Sequence, residues 1–230
     1  MEEAYKCIIC GEDAYPSTEK ASCSYCGKVE KADYLCGRGH YICEECRLAS
    51  PEELVKKTCQ HSGEKDPVKI AELLMKHPAI TAYGPEHHYM VAAVILAALR
   101  NNGIVEVDAS MIDRAIARAK RIPLGACGSW GACGAAVGVG IAFSVAWNVD
   151  MMSEEGRSVI MKLVSEALEE ISRIKGPRCC KASVYAALNV VKRFLKERFN
   201  VSFVEQRVRC PFKAVLRQHC LGVKCPYYGE

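Results

Sequence analysis

The chain lacks the motifs that mark the common enzyme classes. It contains no Walker phosphate loop, no dinucleotide fingerprint after a strand and no nucleophile elbow, so those three chemistries have no carrier in the sequence. It has little excess of charge of either sign: 31 Lys+Arg against 27 Asp+Glu leave a formal net charge of +4, too little by itself to imply a nucleic-acid or membrane partner. Arg114, Arg118, Lys120 and Arg121 read as a solvated helix face. There is no internal repeat and no low-complexity tract. The longest apolar stretch, Ala132 to Trp147, is shorter than the roughly 20 residues of a membrane-spanning helix and is interrupted by Gly134, Gly138 and Gly140. A core helix is expected there, with glycines that let neighbours approach closely. Met1 to Lys6 shows neither basic leader nor apolar signal core, so the expected setting is the cytoplasm, where thiols stay reduced and disulfide frameworks are rare.

Against these absences stands one excess, 15 cysteines in 230 residues. In a reducing compartment such a number points to metal binding or redox chemistry. The cysteines fall into two groups. Between Cys7 and His61 eight of them join His40 and His61 in a stretch with little apolar periodicity, and the other seven follow residue 126 among apolar helical patterns. The polar, breaker-rich run Ser62-Gly63-Glu64-Lys65-Asp66-Pro67 reads as the linker. The expected organisation is therefore a metal module over residues 1–62 and a helical, cysteine-rich domain over 63–230.

Helices are expected from Val68 to Met75, from about Pro85 to Arg100, from a Ser110 cap through Ile112, Ile116 and Ala119, from Ser153 to about Ile171, and from about Lys181 to Phe199. The second of these is apolar on every side over Met90 to Leu99 and should lie inside the bundle. Val201 to Val204 reads as a short strand.

In the first group, Cys7-Ile8-Ile9-Cys10-Gly11 and Cys23-Ser24-Tyr25-Cys26-Gly27 are paired knuckles. Two thiolates at this spacing grip one tetrahedral ion from a tight turn, and the glycine lets the backbone make it. With Cys36/His40 and Cys43/Cys46 they make eight ligands for about two zinc ions. Alternate pairs sharing an ion would give Cys7, Cys10, Cys36 and His40 at one site and Cys23, Cys26, Cys43 and Cys46 at the other; sequential pairing is the competing arrangement. Cys59 and His61 are second choices. So short and polar a segment cannot bury enough apolar surface to fold unaided, and a fully ligated zinc is closed to substrate. The module is thus expected to be structural, or a docking surface for a protein, redox or nucleic-acid partner. The run Cys36-Gly37-Arg38-Gly39-His40-Tyr41-Ile42-Cys43-Glu44-Glu45-Cys46 resembles the central ligand run of RING and treble-clef zinc domains, although its spacing differs from that of a standard RING.

The later cysteines form three clusters: Cys127 and Cys133 in a glycine-rich loop entering the apolar helix, Cys179-Cys180 before another helix, and Cys210, Cys220 and Cys225 at the carboxyl end. The first two stand at helix amino termini, where free N–H groups and the helix dipole favour thiolate. Cys127, Cys133, Cys179, Cys180, Cys220 and Cys225 are expected to bind one iron–sulfur cluster or to act as redox thiols, with Cys210 and one of the Cys179/Cys180 pair as bystanders. Of His87-His88, one ring could donate to a cluster sulfur or carry a proton, because adjacent helical residues diverge by about 100°.

The Gly39-to-Cys46 run, the His87-His88 helix start, Cys127-Gly-Ser-Trp-Gly-Ala-Cys133-Gly-Ala-Ala136 and the Cys179-Cys180 pair together resemble a family of cysteine-rich prokaryotic proteins with a domain of unknown function. Cys133 to Gly138 is also similar to a broader set of redox proteins with a Cys-Gly-Ala core. The resemblance implies anaerobic metabolism and iron–sulfur or thiol chemistry, and it brings no substrate. The sequence thus suggests a mainly α protein with an amino-terminal treble-clef or cross-brace-like zinc module, acting in electron or sulfur transfer. A non-enzymatic zinc adaptor and a transferase of sulfur or methyl groups are the alternatives.

Overall fold

The computed structural model describes residues 5–204, 207–216 and 219–229. The amino-terminal part has few apolar residues in sequence, and it makes only short strands. β1 (Tyr5–Lys6), β2 (Asp13–Pro16) and β5 (Tyr34–Cys36) form an antiparallel sheet in the order β1-β2-β5, with Tyr5 opposite Ala14 and Ala14 opposite Cys36. β3 (Lys20–Ser22) and β4 (Val29–Lys31) form a separate hairpin. The two cysteine knuckles are the turns of β1-β2 and β3-β4. Gly11 and Gly27 adopt φ of +80° and +73°, and their N–H groups bond back to the carbonyls of Cys7 and Cys23 at 2.7 and 2.9 Å. A side chain would be strained in that left-handed conformation.

Helices follow: α1 (Glu44–Arg47), α2 (Pro51–His61), α3 (Pro67–Lys76), α4 (Glu86–Asn101), α5 (Ala109–Ala119), α6 (Ala126–Ser129), α7 (Gly134–Ala146), α8 (Glu154–Ser172), α9 (Cys180–Phe199) and α10 (Lys213–Leu216). About half of the chain is helical. α4 is the axis of the packing. Every residue from Glu86 to Leu99 is buried, and α2, α3, α5, α7 and α9 surround it. Each large aliphatic side chain so enclosed contributes about 1.5–3 kcal/mol. α7 lies flat on α4 because glycines face it: a Cβ at Gly134 would collide with the His88 ring, and one at Gly138 would sit 2.7 Å from the His88 carbonyl. On the other side Gly140 admits Val164 of α8. No described helix is long and apolar enough to cross a membrane.

Several local expectations are corrected. Residues 51–61, assigned to the metal module without a helix, form α2. Ser50 caps it through a full capping box with Glu53. Arg100 of α4 donates to the carbonyls of Cys59, Gln60 and Ser62 at 3.0 Å each, satisfying the acceptors that a helix end leaves free. Asp108, not Ser110, caps α5; it accepts from the Met111 N–H, and Ser110 donates its hydroxyl to Asp108. Val201 to Val204 is not a strand. Asn200 turns left-handed at φ 52°, Val201 N–H closes the end of α9 on the Leu195 carbonyl, and among the described residues no strand pairs with it. The segment after α9 is largely irregular, with α10, a short 3-10 turn at Gly222–Lys224 and one bridge between Cys210 and Tyr228. One continuous buried cluster runs from Cys23 and Tyr25 through α4 to Leu216.

Candidate metal centres

The two hairpin turns, the end of β5 and the start of α1 carry the eight donors of the amino-terminal part. They meet as alternate pairs. Cys7, Cys10, Cys36 and His40 form one group and Cys23, Cys26, Cys43 and Cys46 the other; within each, the ligand atoms all lie within 4.8 Å of one another. A tetrahedral zinc with Zn–S bonds near 2.3 Å sets a sulfur–sulfur edge of about 3.8 Å. The observed edges are Cys10 Sγ–Cys36 Sγ 3.8 Å and Cys26 Sγ–Cys43 Sγ 3.7 Å. The His40 Nδ1 stands 3.8 Å from Cys7 Sγ and 3.4 Å from Cys36 Sγ. Each group could therefore hold one metal ion.

Electrostatics agree with this. A hydrogen bond from Cys46 holds the Cys23 thiol down to about 4, and the same contact drives Cys46 far up. Burial pushes Cys43 up to about 11. Thiols this close cannot all ionise unless a cation lies among them. Burial, with Lys76 and Arg38 nearby, lowers His40, which keeps its ring in the neutral, ligating form. Backbone N–H groups also aim at the sulfurs, from His40 to Cys36 at 3.3 Å and from Cys43 to Cys23 at 3.4 Å, an outer layer of the kind that orients ligands. The second-choice residues stand apart. Cys59 is fully buried on α2, where burial raises its thiol to about 12, and the exposed His61 bonds the Lys57 carbonyl.

The helical cysteines are arranged differently. The expected single site resolves into two adjacent cavities. The first, about 110 Å³, is lined by His87 and His88 of α4, Cys127 of α6, Cys133 at the cap of α7, Arg178, and Cys179-Cys180 at the start of α9. The second, about 10 Å³, is lined by Cys179, Cys210, Cys220, Cys225, Lys213 and Tyr228 among others. Cys210, read as a bystander, thus shares a cavity with Cys220 and Cys225, while Cys127 and Cys133 do not. The divergence of adjacent residues at a helix start separates them: Cys180 faces only the first cavity and Cys179 borders both. Among the described residues, the two amino-terminal groups are the ones whose donors come within 4.8 Å, so neither cavity presents a mononuclear tetrahedron.

The amino terminus of α9 does not favour thiolate. Burial outweighs the N–H groups of Ala182 and Lys181 at Cys179 and a bond from Gly84 at Cys180, raising the first thiol and pushing the second up to about 11. Both histidines of the first cavity are buried and each has one ring nitrogen without a partner, Nε2 of His87 and Nδ1 of His88. The His87 Nδ1 faces the Gly84 carbonyl at 3.1 Å. A carbonyl only accepts, so Nδ1 carries the proton. Burial, then the charge of Lys181, lowers His87 to about 4, so its Nε2 is a free lone pair at neutral pH. His88 likewise bonds the Ile122 carbonyl and is lowered by burial. The two residues therefore line one cavity, where the sequence suggested a role for only one. The signal that could have shown it is Gly134, which leaves room for the second ring.

Residues 55–228 match the model of a family of unknown function, DUF5714, and at that coverage the chain belongs to the family. The matched span begins within α2, holds Cys59 and all the later cysteines, and contains none of the eight amino-terminal donors. The match lends no support to the RING or redox resemblances. No curated protein and no solved structure matches the chain.

Proposed function

We propose that this member of the DUF5714 family is a two-part metalloprotein, with an amino-terminal module held by two zinc ions and a helical part whose thiol pocket works in electron or sulfur transfer. The observation that supports it is the match between the donor edges and the tetrahedron of a zinc ion. Thiolate-rich, four-coordinate sites suit zinc among the divalent ions, and they are closed to substrate. The ions would hold the module as a docking surface. Beside the first tetrad lies a groove of about 500 Å³ lined by Tyr5, Tyr34, Ile42 and His40 among others, which suits a protein partner. Of the module's cations, Lys6, Lys28, Arg38 and Arg47 are each paired with a carboxylate.

The transfer role is supported by the first cavity. It brings the neutral rings of His87 and His88 to the same space as Cys133 and Cys180, where their lone pairs can accept a hydrogen bond from a thiol or a guest. The groove also favours a second reading, a zinc adaptor in which the helical part serves only as packing. Elemental analysis of the full chain tests the leading assignment: two zinc ions per chain are expected, both lost with Cys46→Ser, because both groups lie in the module that the substitution unfolds. A chain that holds no zinc and keeps its near-ultraviolet signal after exhaustive chelation refutes it.

A further inference from the structure

The segment after α9 has little that should order it. Among its described residues it has no long helix and no sheet, yet these fold back on one another and onto the start of α9. Cys210 N–H donates to the Tyr227 carbonyl at 2.7 Å, and the N–H groups of Tyr228 and Cys225 bond Cys225 and Gly222 at 3.0 and 2.9 Å. Leu221 presses on the loop before α9 so closely that a Cβ at Gly176 would collide with it. These contacts carry Cys210, Cys220 and Cys225 to the cavity that Cys179 borders from the helix. The four thiols lie within electrostatic reach of one another. They are also more widely spread than the amino-terminal tetrads, beyond the edge of a tetrahedron around a single ion.

A second observation stands beside the first. Lys181, one residue into α9 from Cys180, is 0 % exposed. Among the described residues no carboxylate pairs with it. Its ammonium meets only the Met75 carbonyl at 3.4 Å and the face of the Phe212 ring at 4.5 Å. Glu86 and the thiols of Cys179, Cys180 and Cys210 are its nearest acidic neighbours. A buried ammonium without an ion-pair partner is costly and needs an anion close by. Neutral thiols do not supply one, and the Glu86 carboxylate is held by Thr81 without pairing with the lysine.

We propose that Cys179, Cys210, Cys220 and Cys225 ligate a four-iron, four-sulfide cluster, with Lys181 as its buried counter-charge. A cube of metal and sulfide separates its thiolates more widely than one ion does, which suits thiols that share a cavity without all coming within 4.8 Å of one another. Two ferric ions, two ferrous ions, four sulfides and four thiolates sum to a net charge of minus two, and the four thiol protons pass to solvent on assembly. That charge lies where Lys181 needs it, and the cross-link accounts for the order of an otherwise irregular segment. The proposal rests on the helical part housing a cysteine centre, not on the zinc tetrads, and it replaces the expected ligands Cys127, Cys133 and Cys180.

The full chain is reconstituted without oxygen from equal ferric and ferrous iron and matching sulfide. About four irons and four sulfides per chain are expected, with visible absorbance that bleaches under dithionite as the cluster takes one electron. Cys210→Ser and Cys225→Ser should each lower the bound iron at least twofold, while Cys127→Ser and Cys133→Ser leave it unchanged. Lys181→Met should lower the reduction potential, because reduction adds negative charge. Should the cysteine variants fail to fold, thiol footprinting of the wild-type chain decides: iron and sulfide should protect Cys210, Cys220 and Cys225 from alkylation and leave the exposed Cys127 reactive. A chain with its two zinc ions that takes up no iron overturns the cluster and leaves the zinc reading intact. So does a third zinc lost with Cys225→Ser, or protection of Cys127 and Cys133 in place of Cys210.

Discussion

The amino-terminal and carboxyl-terminal cysteines use the same side chain in opposite ways. In the first region pairs of donors come from single turns, two knuckles and two short runs, so local backbone geometry places each pair before the fold is complete. In the second, thiols from α6, α7, α9 and the final segment meet only because helices pack. The first arrangement closes on one ion per site. The second leaves thiols around cavities, those of Cys179, Cys180 and Cys210 pushed up by burial, beside two buried histidines and, among the described residues, a lysine without a carboxylate. Spacing in the chain therefore carries the first kind of site and is nearly silent about the second.

Breaking the first region should have the largest effect. Structural zinc contributes about 10–16 kcal/mol of apparent binding free energy in small zinc-finger peptides near neutral pH, far more than this module's short strands can replace. Cys46→Ser should unfold residues 5–46, with loss of the near-ultraviolet signals of buried Tyr25 and Tyr41. The far-ultraviolet helical signal should stay largely intact, because α4, α7 and α9 bury their own core. If that helical signal collapses as well, the two regions are one cooperative unit and the contrast between them is false.

The second region should respond to acid. His87 has its folded value depressed to about 4 by burial, below the unfolded value near 6.5. The unfolded chain therefore binds more protons between those limits, and stability falls as pH drops through that window. From the shift, the His87 share is about 3 kcal/mol, fully lost below about pH 4. Urea unfolding of wild type and His87→Gln at pH 7 and pH 5 should show a smaller pH dependence in the variant. Equal slopes would mean that the ring is not held neutral in the fold. Acid also releases zinc, so the difference between the two proteins is the quantity to read.

A smaller effect sharpens the comparison inside the helical part. Gly134→Ala places a Cβ against the His88 ring, and overpacking of this kind costs about 1–3 kcal/mol. The urea midpoint should fall, with zinc content unchanged. A neutral result would show that α7 can move off α4 without strain.

Much of the helical architecture was legible. The apolar spacing marks α3, α4, α8 and α9, and the glycines of α7 mark a close-packed helix. α2 was hidden because Cys59 and His61 look like further ligands, although Ser50-Pro51 with Glu53 is a readable helix start. Asp108 was overlooked because Ser110 fits the same cap role two residues later. The eight metal donors were legible as pairs, while their grouping needed the crossing of the hairpins. The two cavities were not legible at all. The divergence of neighbours on a helix could have separated Cys179 from Cys180, but nothing in a linear chain tells that Cys210 lies with Cys220 and Cys225.

That adjacency has a further consequence. Cys179, at the start of a long helix, borders both cavities. Were a guest on one side to draw in that thiol, a guest on the other would feel it, and occupancy on the two sides would be thermodynamically linked. Linkage is reciprocal: whatever factor filling one cavity imposes on affinity in the other is returned unchanged, whichever fills first.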